Sequence, residues 1–508
     1  MMSNHYQLKN NTMHKFIKSF RFLILIALVG FVSCEKFEEY NENPNEPTDV
    51  SPDVLLSSAI RSSVNTMVNE SFLLGNNAAQ LTAKTLRTEV DAYNWNAFPT
   101  VWEGLYESLT DVNSFERDAI NSENDQLEGV ALVLRSWIFA TLTNAYGDIP
   151  FSEAIQGAET SNFTPVYDRQ EDIYNALLAD LERAADLLGN KGSISGDILF
   201  GNDAGKWQKL ANSLRLRLLM TANNQLPDAG TQFAAIVNEG NIMTSNDDNA
   251  TLTYLDAFPN QFPLIPLKTG DFDAIALSQT LLDVFNEYGD PRLMRYARPN
   301  NDMYNQDATF SGAANGSNSA NCSKAGSRLG AQYYEDPVQM TAASLGLRTA
   351  EGMVMTYAEV SFLLAEAALK GWIDEDIETH YKNGIEASMI YHQVDPAPFG
   401  WTDVDDFYNN SGVAYDEPTD IWEQKWINSF FHGLEPYFEV RRWYFESGMD
   451  WSGIPFLSPP CENLNNDQLP MRFLYPGEEQ SLNAINYDAA VDQLGGSNSQ
   501  NATIWLVE

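Results

Sequence analysis

Histidine and cysteine, the residues most used for metal binding and covalent catalysis, are scarce in this chain. Only five histidines and three cysteines occur among 508 residues. His380, His392 and His432 are far apart and lack the His-Glu-x-x-His spacing of a zinc protease. The sequence also contains no Gly-x-Ser-x-Gly elbow, Walker loop or dinucleotide fingerprint. It therefore predicts neither a zinc site nor these catalytic centres, and we expect a protein that needs no cofactor.

Basic residues are few as well. Thirty Lys and Arg stand against 70 Asp and Glu, which gives a formal net charge of −40. A field of this sign repels phosphate backbones and anionic lipid headgroups. The composition therefore excludes nucleic-acid binding and direct polybasic contact with a membrane, and most of the carboxylates are expected on a solvated surface.

Long hydrophobic runs are missing except near the N-terminus. The apolar run at 22–32 is too short to span a bilayer, which takes about 20 residues. It comes after Lys9, Lys15, Lys18 and Arg21, and it ends in Ser33-Cys34, which resembles a bacterial lipobox. We therefore predict a signal peptide at 1–33 and lipidation of Cys34. The alternatives are an ordinary signal peptide cut nearby and an uncleaved anchor.

The two other cysteines, Cys322 and Cys461, both lie in polar, turn-rich stretches. The oxidising compartment that a signal peptide implies would permit a disulfide between them. The bond requires Cα atoms within about 7 Å, a distance that the sequence does not give. The pairing is therefore left open at this point.

Helical periodicity dominates the chain after a proline-punctuated tether at 34–52. In 125–146 and again after Asp168, apolar residues recur at spacings of three and four, and Asp168 with Glu171 suggests a capping box. Further helices are predicted at 53–69, 72–88, 99–118, 203–222, 229–239, 275–286, 357–371, 375–392 and 418–446. The sequence predicts an all-α, mainly helical fold of tetratricopeptide-like pairs, without a strict 34-residue period. Residues 53–508 are predicted to form a single domain.

Several motifs occur together in a characteristic order. They are YGDIPFSEA (146–154), DAGKWQKLANSLRLR (203–217), MTYAEVSFLLAEA (355–367), QKWI (424–427) with EVRRW (439–443), and LPMR (469–472) with YPGE (475–478). In these motifs and the lipobox, the chain resembles the SusD/RagB class of outer-membrane nutrient-binding lipoproteins, especially its SusD-like branch. It departs from that pattern at its end, where Trp505-Leu506 replaces a paired tryptophan.

The resemblance implies a helical-repeat fold packed against an irregular, loop-rich binding lobe. It also implies a partner, a SusC-like TonB-dependent barrel to which the lipoprotein delivers its ligand. The acidic residues just after Cys34 resemble the signal that sends such lipoproteins to the cell surface. We expect an outer-membrane protein, anchored by lipid, that faces the cell exterior.

Glycan binding requires flat aromatic faces and a few oriented polar groups. The segment 87–96 offers both, with Trp95 and Tyr93 as candidate platforms and Arg87 and Asn96 as candidate hydrogen-bonding partners. The alternative is that Trp95 plugs a junction between helices.

A second candidate region comprises the long irregular stretches at 241–274 and 294–348. Their aromatics are Phe258, Phe262, Phe272, Tyr304, Tyr333 and Tyr334. The resemblance implies that such loops hold ligand, although each ring has packing as its alternative. The tryptophans within helices are interpreted as core residues: Trp102, Trp137, Trp207, Trp422, Trp426 and Trp443.

Three other interpretations remain open. Asp and Asn clusters at 246–249 and 271–273 could bind calcium, but they lack an EF-hand pattern and are interpreted as solvated turns. The ligand is predicted to be a glycan, and a peptide is the alternative within the same family. A helical glycosidase would require two carboxylates across a cleft, and the sequence singles out no such pair.

Overall fold

Helices that pack on their neighbours in the chain build most of this protein. The computed structural model describes residues 50–190, 192–317, 321–334 and 345–508. The α-helices are α1 (Pro52–Glu70), α2 (Asn76–Ala78), α3 (Pro99–Asn121), α4 (Asp125–Tyr146), α5 (Gly157–Thr160), α6 (Gln170–Leu188), α7 (Ala204–Thr221), α8 (Ala229–Glu239), α9 (Thr269–Phe272), α10 (Gln279–Tyr288), α11 (Leu293–Tyr296), α12 (Tyr357–Leu369), α13 (Ile377–Tyr391), α14 (Val404–Asn410), α15 (Pro418–Asn428), α16 (Glu435–Glu446), α17 (Gly477–Leu482) and α18 (Ala484–Gln493).

The long helices pack in sequence order. Helix α3 packs on α1 and α4, α4 packs on α6, and α6 packs on α7, while α12 and α13 form a further pair. In α6 the buried residues Ile173, Leu177, Leu181 and Leu188 lie on one face because their spacing follows the helical repeat. The predicted mainly helical fold with paired helices is confirmed.

The tryptophans of the helices lie in the core. Trp102, Trp137, Trp207, Trp426 and Trp443 are buried, as predicted. Trp422 is half-buried, and its ring stacks on Trp443 at 5.6 Å between centroids.

Asp168 does not cap α6 as the sequence suggested. The N-cap residue is Arg169. The Asp168 carboxylate instead accepts hydrogen bonds from the backbone N–H groups of Phe151 and Ser152, at 3.0 and 2.8 Å. The predicted cap is therefore wrong, because this carboxylate holds the loop after α4.

Short strands tie distant segments together in three two-stranded antiparallel sheets within the described residues. The strands are β1 (Thr82–Lys84), β2 (Ile149–Pro150), β3 (Tyr167–Asp168), β4 (Ala250–Leu252), β5 (Ile275–Leu277) and β6 (Gly352–Met355). β1 pairs with β5, β2 with β3 and β4 with β6. In the first sheet Lys84 lies opposite Ile275.

The helix predicted at 72–88 does not form. A π-helical turn at Ser71–Gly75 comes after α1, and the chain then passes through α2 into β1. Gly75 sits where a Cβ atom would lie 2.0 Å from the carbonyl oxygen of Gly433, so only glycine fits this contact. The backbone stays helical through this contact, and the helix ends after Ala78, where Gln80 takes a left-handed conformation with a φ of 59° before β1 begins.

The motif residues that suggested the family form a buried ionic network. Arg217 pairs with Glu359 at 2.6 Å, and Arg442 pairs with Glu366 and Glu439, both at 2.7 Å. Although burial opposes it, the charges of Arg442 and Lys425 lower the pKa of Glu439 to about 2. The charged residues of these motifs therefore join helices α7, α12, α15 and α16 to one another.

Cys322 and Cys461 form a disulfide, with Cα atoms 6.2 Å apart, a pairing that the sequence alone left open. Residues Pro52–Glu508 form one compact unit. In the part of the chain that the structure describes, no helix is both long and apolar enough to cross a membrane. Cys34 and the predicted signal peptide lie outside the described residues.

Candidate functional site

Trp95, predicted as a stacking platform, lies in the core with 6% of its surface exposed. Its indole Nε1 donates to the carbonyl oxygen of Val90 at 2.7 Å. The rings of Tyr437 and Phe473 meet it edge-on, with centroids 5.1 and 5.3 Å away. This geometry favours the packing interpretation, since a ring enclosed on both sides has no face for a sugar.

Tyr93 is fully buried beside Trp95. Its hydroxyl donates to the carbonyl oxygen of Ala78 at 2.9 Å, and its ring stacks on Trp451 at 6.4 Å. Burial raises the pKa of this hydroxyl well above its usual range. Tyr93 and Trp95 together join the segment after α2 to the C-terminal part of the chain.

Two of the three predicted tyrosines are buried as well. Tyr333 stacks on Phe431 at 4.0 Å, and Tyr334 stacks on Phe272 at 4.4 Å. Tyr304 keeps a half-exposed side chain. The structure does not bring these tyrosines together with Tyr93 and Trp95 as one exposed arc.

Arg87 and Asn96 are exposed, and Arg87 lines a cavity of about 300 Å³. We call this cavity the Leu86 pocket. Its apolar lining residues are Phe72, Leu73, Leu86, Leu264, Leu267, Gly270, Ala274 and Ile275. Its polar lining residues are Asn69, Lys84, Arg87 and Asp271. One predicted site residue and one predicted loop region thus meet at a single pocket.

Local structure places two leucines at this pocket. Leu73 comes from the π-helical turn, and Leu86 comes just after β1, where the hydrogen bond from Thr85 N to Ala274 O continues the pairing with β5. Leu86 is 63% exposed. Leu73 is 42% exposed, so the two leucines together give this pocket solvent-exposed apolar surface.

Stacked rings support the pocket from behind. Phe72 stacks on Phe272 at 5.5 Å, and Phe272 stacks in turn on Tyr334. The Tyr334 hydroxyl donates to the carbonyl oxygen of Leu267, a pocket residue, at 3.0 Å. Phe272 and Tyr334 therefore hold the wall in place and do not offer their own faces.

An exposed loop stands next to the pocket. At one end of the loop, the Tyr254 hydroxyl donates to Asn65 Oδ1 at 2.7 Å, and Asn65 lies one helical turn before the pocket residue Asn69. At its other end the loop leads to Leu264, which also lines the pocket. Phe258 lies on this loop with 84% of its surface exposed. It is the most exposed phenylalanine in the described segments and supplies the open ring face that Trp95 lacks.

The charges at the pocket are shaped by burial. Lys84 is half-buried, and desolvation lowers the pKa of its ammonium group. Behind it, burial raises the pKa of Asp91 and of Glu70 to about 7 in each case. One Asp91 oxygen accepts the backbone N–H of Lys84 at 2.9 Å.

Two further cavities of similar size open elsewhere in the described structure. One, of about 300 Å³, lies beside Arg135 between α3 and α4, and the other, of about 290 Å³, lies beside Trp505 at the C-terminus. Neither contains a predicted site residue.

Leu73 and Leu86 of the Leu86 pocket were not among the predicted site residues, because the sequence prediction considered aromatic residues in the loops.

The clusters considered for calcium are engaged in other contacts. Asp248 pairs with Lys209 at 2.8 Å, and Asp273 pairs with Arg328 at 2.5 Å. Among the residues described, no group of three His, Cys, Asp or Glu side chains is placed to hold a metal ion. A protein without cofactor remains our prediction.

The fold and the pocket together define a helical-repeat protein with a loop-built candidate site. The chain belongs to the SusD-like family described as starch-binding and associating with the outer membrane, whose family model matches residues 44–476. No curated protein matches the chain significantly.

Solved structures share this fold along nearly their whole length. A chitin-binding protein is 26% identical with a TM-score of 0.74, covering 90% of this chain and 100% of its own. A SusD homologue from Bacteroides fragilis is 24% identical with a TM-score of 0.74, covering 91% and 100%. A chitin-binding SusD homologue from Flavobacterium johnsoniae is 22% identical with a TM-score of 0.71, covering 89% and 98%.

Proposed function

We propose that this protein binds a glycan at the Leu86 pocket and passes it to a SusC-like TonB-dependent barrel in the outer membrane. The observation that carries the proposal is the pocket itself, which combines exposed apolar side chains with hydrogen-bond donors. Membership in a family described as starch-binding supports the ligand class. The similarity to a chitin-binding structure supports it further.

The lining matches the two kinds of surface that a sugar ring presents. Leu73 and Leu86 offer apolar surface to the C–H faces of the ring. Arg87, Lys84 and Asn69 offer N–H groups to its hydroxyls. Because Phe258 lies on a loop beside the cavity, it provides a platform for sugar units that extend beyond the pocket.

A binding role without catalysis fits this lining. Glycoside hydrolysis uses two carboxylates about 5–10 Å apart. Among the described residues that line the Leu86 pocket, Asp271 alone carries a carboxylate. We therefore propose that the glycan is released unchanged.

The proposed location and partner rest on the N-terminal sequence and on the helical repeats. A lipid on Cys34 would anchor the protein by two or more acyl chains, which is far more stable than a single chain. The acidic residues after Cys34 favour the outer face of the outer membrane. The helix pairs provide a continuous surface for contact with the barrel.

Affinity electrophoresis of the chain from Glu35 onward tests the proposal. Gels carrying starch, soluble chitin derivatives and other polysaccharides are run with the wild type and with Leu86→Ala and Phe258→Ala. We expect retardation in at least one gel, weakened about tenfold by either substitution, with the glycan chain length unchanged.

Matched controls are Phe163→Ala and Leu482→Ala, which remove side chains of comparable type, 75% and 70% exposed, away from the pocket. Equal loss of retardation in controls and pocket variants would refute the placement of the site. Shortened glycan would refute the non-catalytic role. Retardation by a peptide library, with none by glycan, would move the function to the peptide alternative.

A further inference from the structure

The Leu86 pocket holds two cationic groups that form no ion pair with a described residue, although Asp91, Glu89 and Glu70 attract the Lys84 ammonium group from nearby. Lys84 and Arg87 both line it, and neither side chain forms an ion pair or hydrogen bond with a described residue. Some cations elsewhere in the described structure have a carboxylate partner: Lys209 pairs with Asp248, and Arg292 pairs with Asp290. In a chain of net charge −40, carboxylates to pair with these cations are abundant.

The position of Lys84 makes an unpaired charge costly. Lys84 is half-buried in the pocket wall, and desolvation is the largest effect on the pKa of its ammonium group. A desolvated charge without a counterion costs free energy that an opposite charge in the pocket would recover. Arg87 is exposed beside it and presents a planar fork of donors suited to a carboxylate or sulfate.

The carboxylates near Lys84 do not form an ion pair with its ammonium group, so they leave that group available to a ligand. Asp91 and Glu70 lie behind the wall, and Asp91 receives the backbone N–H of Lys84 instead of its ammonium group. Glu89 is exposed to solvent, five residues after Lys84. Asp271 is the acidic residue of the lining, and Lys268 lies exposed three residues before it.

We propose that the Leu86 pocket selects a glycan that carries an acid group. A uronate carboxylate or a sulfate ester is bound by Lys84 Nζ and the Arg87 guanidinium, while Leu73 and Leu86 contact the ring that bears it. This inference rests on the proposed function and narrows its substrate class from glycans in general to acidic glycans. The net charge of −40 opposes the approach of polyanions, so acid selectivity requires a local cationic site.

Paired gels that differ only in ligand charge test this inference. Polygalacturonate is compared with its fully methyl-esterified form, and a sulfated dextran with dextran, at low and at moderate salt. We expect stronger retardation by the charged member of at least one pair and weakening by salt. We expect about a tenfold loss for Lys84→Gln or Arg87→Gln, and a larger loss for the double variant.

The control is Arg169→Gln, an exposed arginine outside the pocket, which we expect to leave retardation in the same gels unchanged. Arg87 is exposed, so Arg87→Gln keeps the test valid even where Lys84→Gln alters folding. Which pair responds identifies carboxylate or sulfate as the acid group. Equal retardation by charged and neutral partners, weakened by Leu86→Ala, would refute acid selectivity and leave glycan binding intact. No retardation by any glycan would refute both.

Discussion

Replacing Glu70 by glutamine is expected to stabilise the protein at alkaline pH and not at acidic pH. Glu70 ends α1 and is buried. Its Oε1 accepts a hydrogen bond from Thr100 Oγ1 at 2.7 Å, whereas Oε2 has no hydrogen-bond partner among the described residues. Burial raises its pKa from 4.5 to about 7. The folded state therefore favours the protonated, neutral carboxyl group.

The sign of the pH dependence is set by this raised pKa. The contribution of Glu70 to stability is complete below the unfolded pKa of 4.5 and is lost as the pH rises through about 7. Since one pKa unit corresponds to about 1.4 kcal/mol, the ionised side chain costs roughly 3 kcal/mol by pH 8. Glutamine keeps an acceptor for Thr100 and carries no charge, so it removes this cost.

The assay is urea unfolding followed by tryptophan fluorescence at pH 5, 6.5 and 8. The difference between Glu70→Gln and wild type is the relevant quantity, because the other buried carboxyl groups are common to both proteins and cancel. We expect similar midpoints at pH 5 and a gain of up to about 3 kcal/mol at pH 8. Glu107→Gln, at an exposed site on α3, is the control. A gain that is the same at pH 5 and pH 8, or a loss at pH 8, would refute the reasoning.

Three other substitutions have outcomes that the structure predicts. Trp95→Ala should lower the free energy of unfolding by about 3–5 kcal/mol, because it leaves a cavity between Tyr437 and Phe473. The midpoint of urea unfolding measures this loss of stability. Glu359→Ala should cost about 3–5 kcal/mol in the same assay, because it leaves the buried Arg217 charge without its main counterion; a loss below 1 kcal/mol would contradict this. Replacing both disulfide cysteines by serine should lower stability by about 2–5 kcal/mol, with reduced wild type as the comparison; unchanged stability would show that the disulfide does not constrain the chain.

Helices whose ends are set by local signals were predictable from the sequence. The expected helices at 125–146 and 229–239 coincide with α4 and α8. Asn124 caps α4 by accepting the backbone N–H of Leu127, and Gly240 ends α8 in a left-handed conformation. Such signals lie within a few residues of the helix end, so no knowledge of the rest of the fold is needed.

Distant contacts set the elements that were predicted wrongly. The expected helix at 418–446 is two helices, α15 and α16, separated by a corner in which Gly433 has a φ of 58°. Gly75 packs against that corner, at a distance that leaves no room for a Cβ atom, and the helical path from α1 ends three residues later, after Ala78. The helical spacing of apolar residues at 72–88 does not reveal this contact. The second backbone segment lies 358 residues further along the chain.

The candidate site shows the same division between local and distant information. The composition of the 87–96 segment drew attention to Arg87, which lines the Leu86 pocket, but it could not distinguish a ring that stacks on sugars from a ring that joins two parts of the chain. Both uses favour a large aromatic next to polar groups. The deciding quantity is exposure, which depends on Tyr437 and Phe473, more than 300 residues away.

The buried aromatics still belong to the functional argument, because they fix the surfaces that a ligand would touch. Phe72 lines the Leu86 pocket, and Phe272 and Tyr334 continue its stack behind the pocket wall. A rigid support of this kind keeps Leu73 exposed at little cost in conformational freedom on binding. The stack also explains why a chain with 12% aromatic residues exposes few of them. Ligand affinity should therefore respond to substitutions in this stack through the shape of the pocket, whereas substitutions at Leu86, Phe258 or Arg87 should act on the ligand directly.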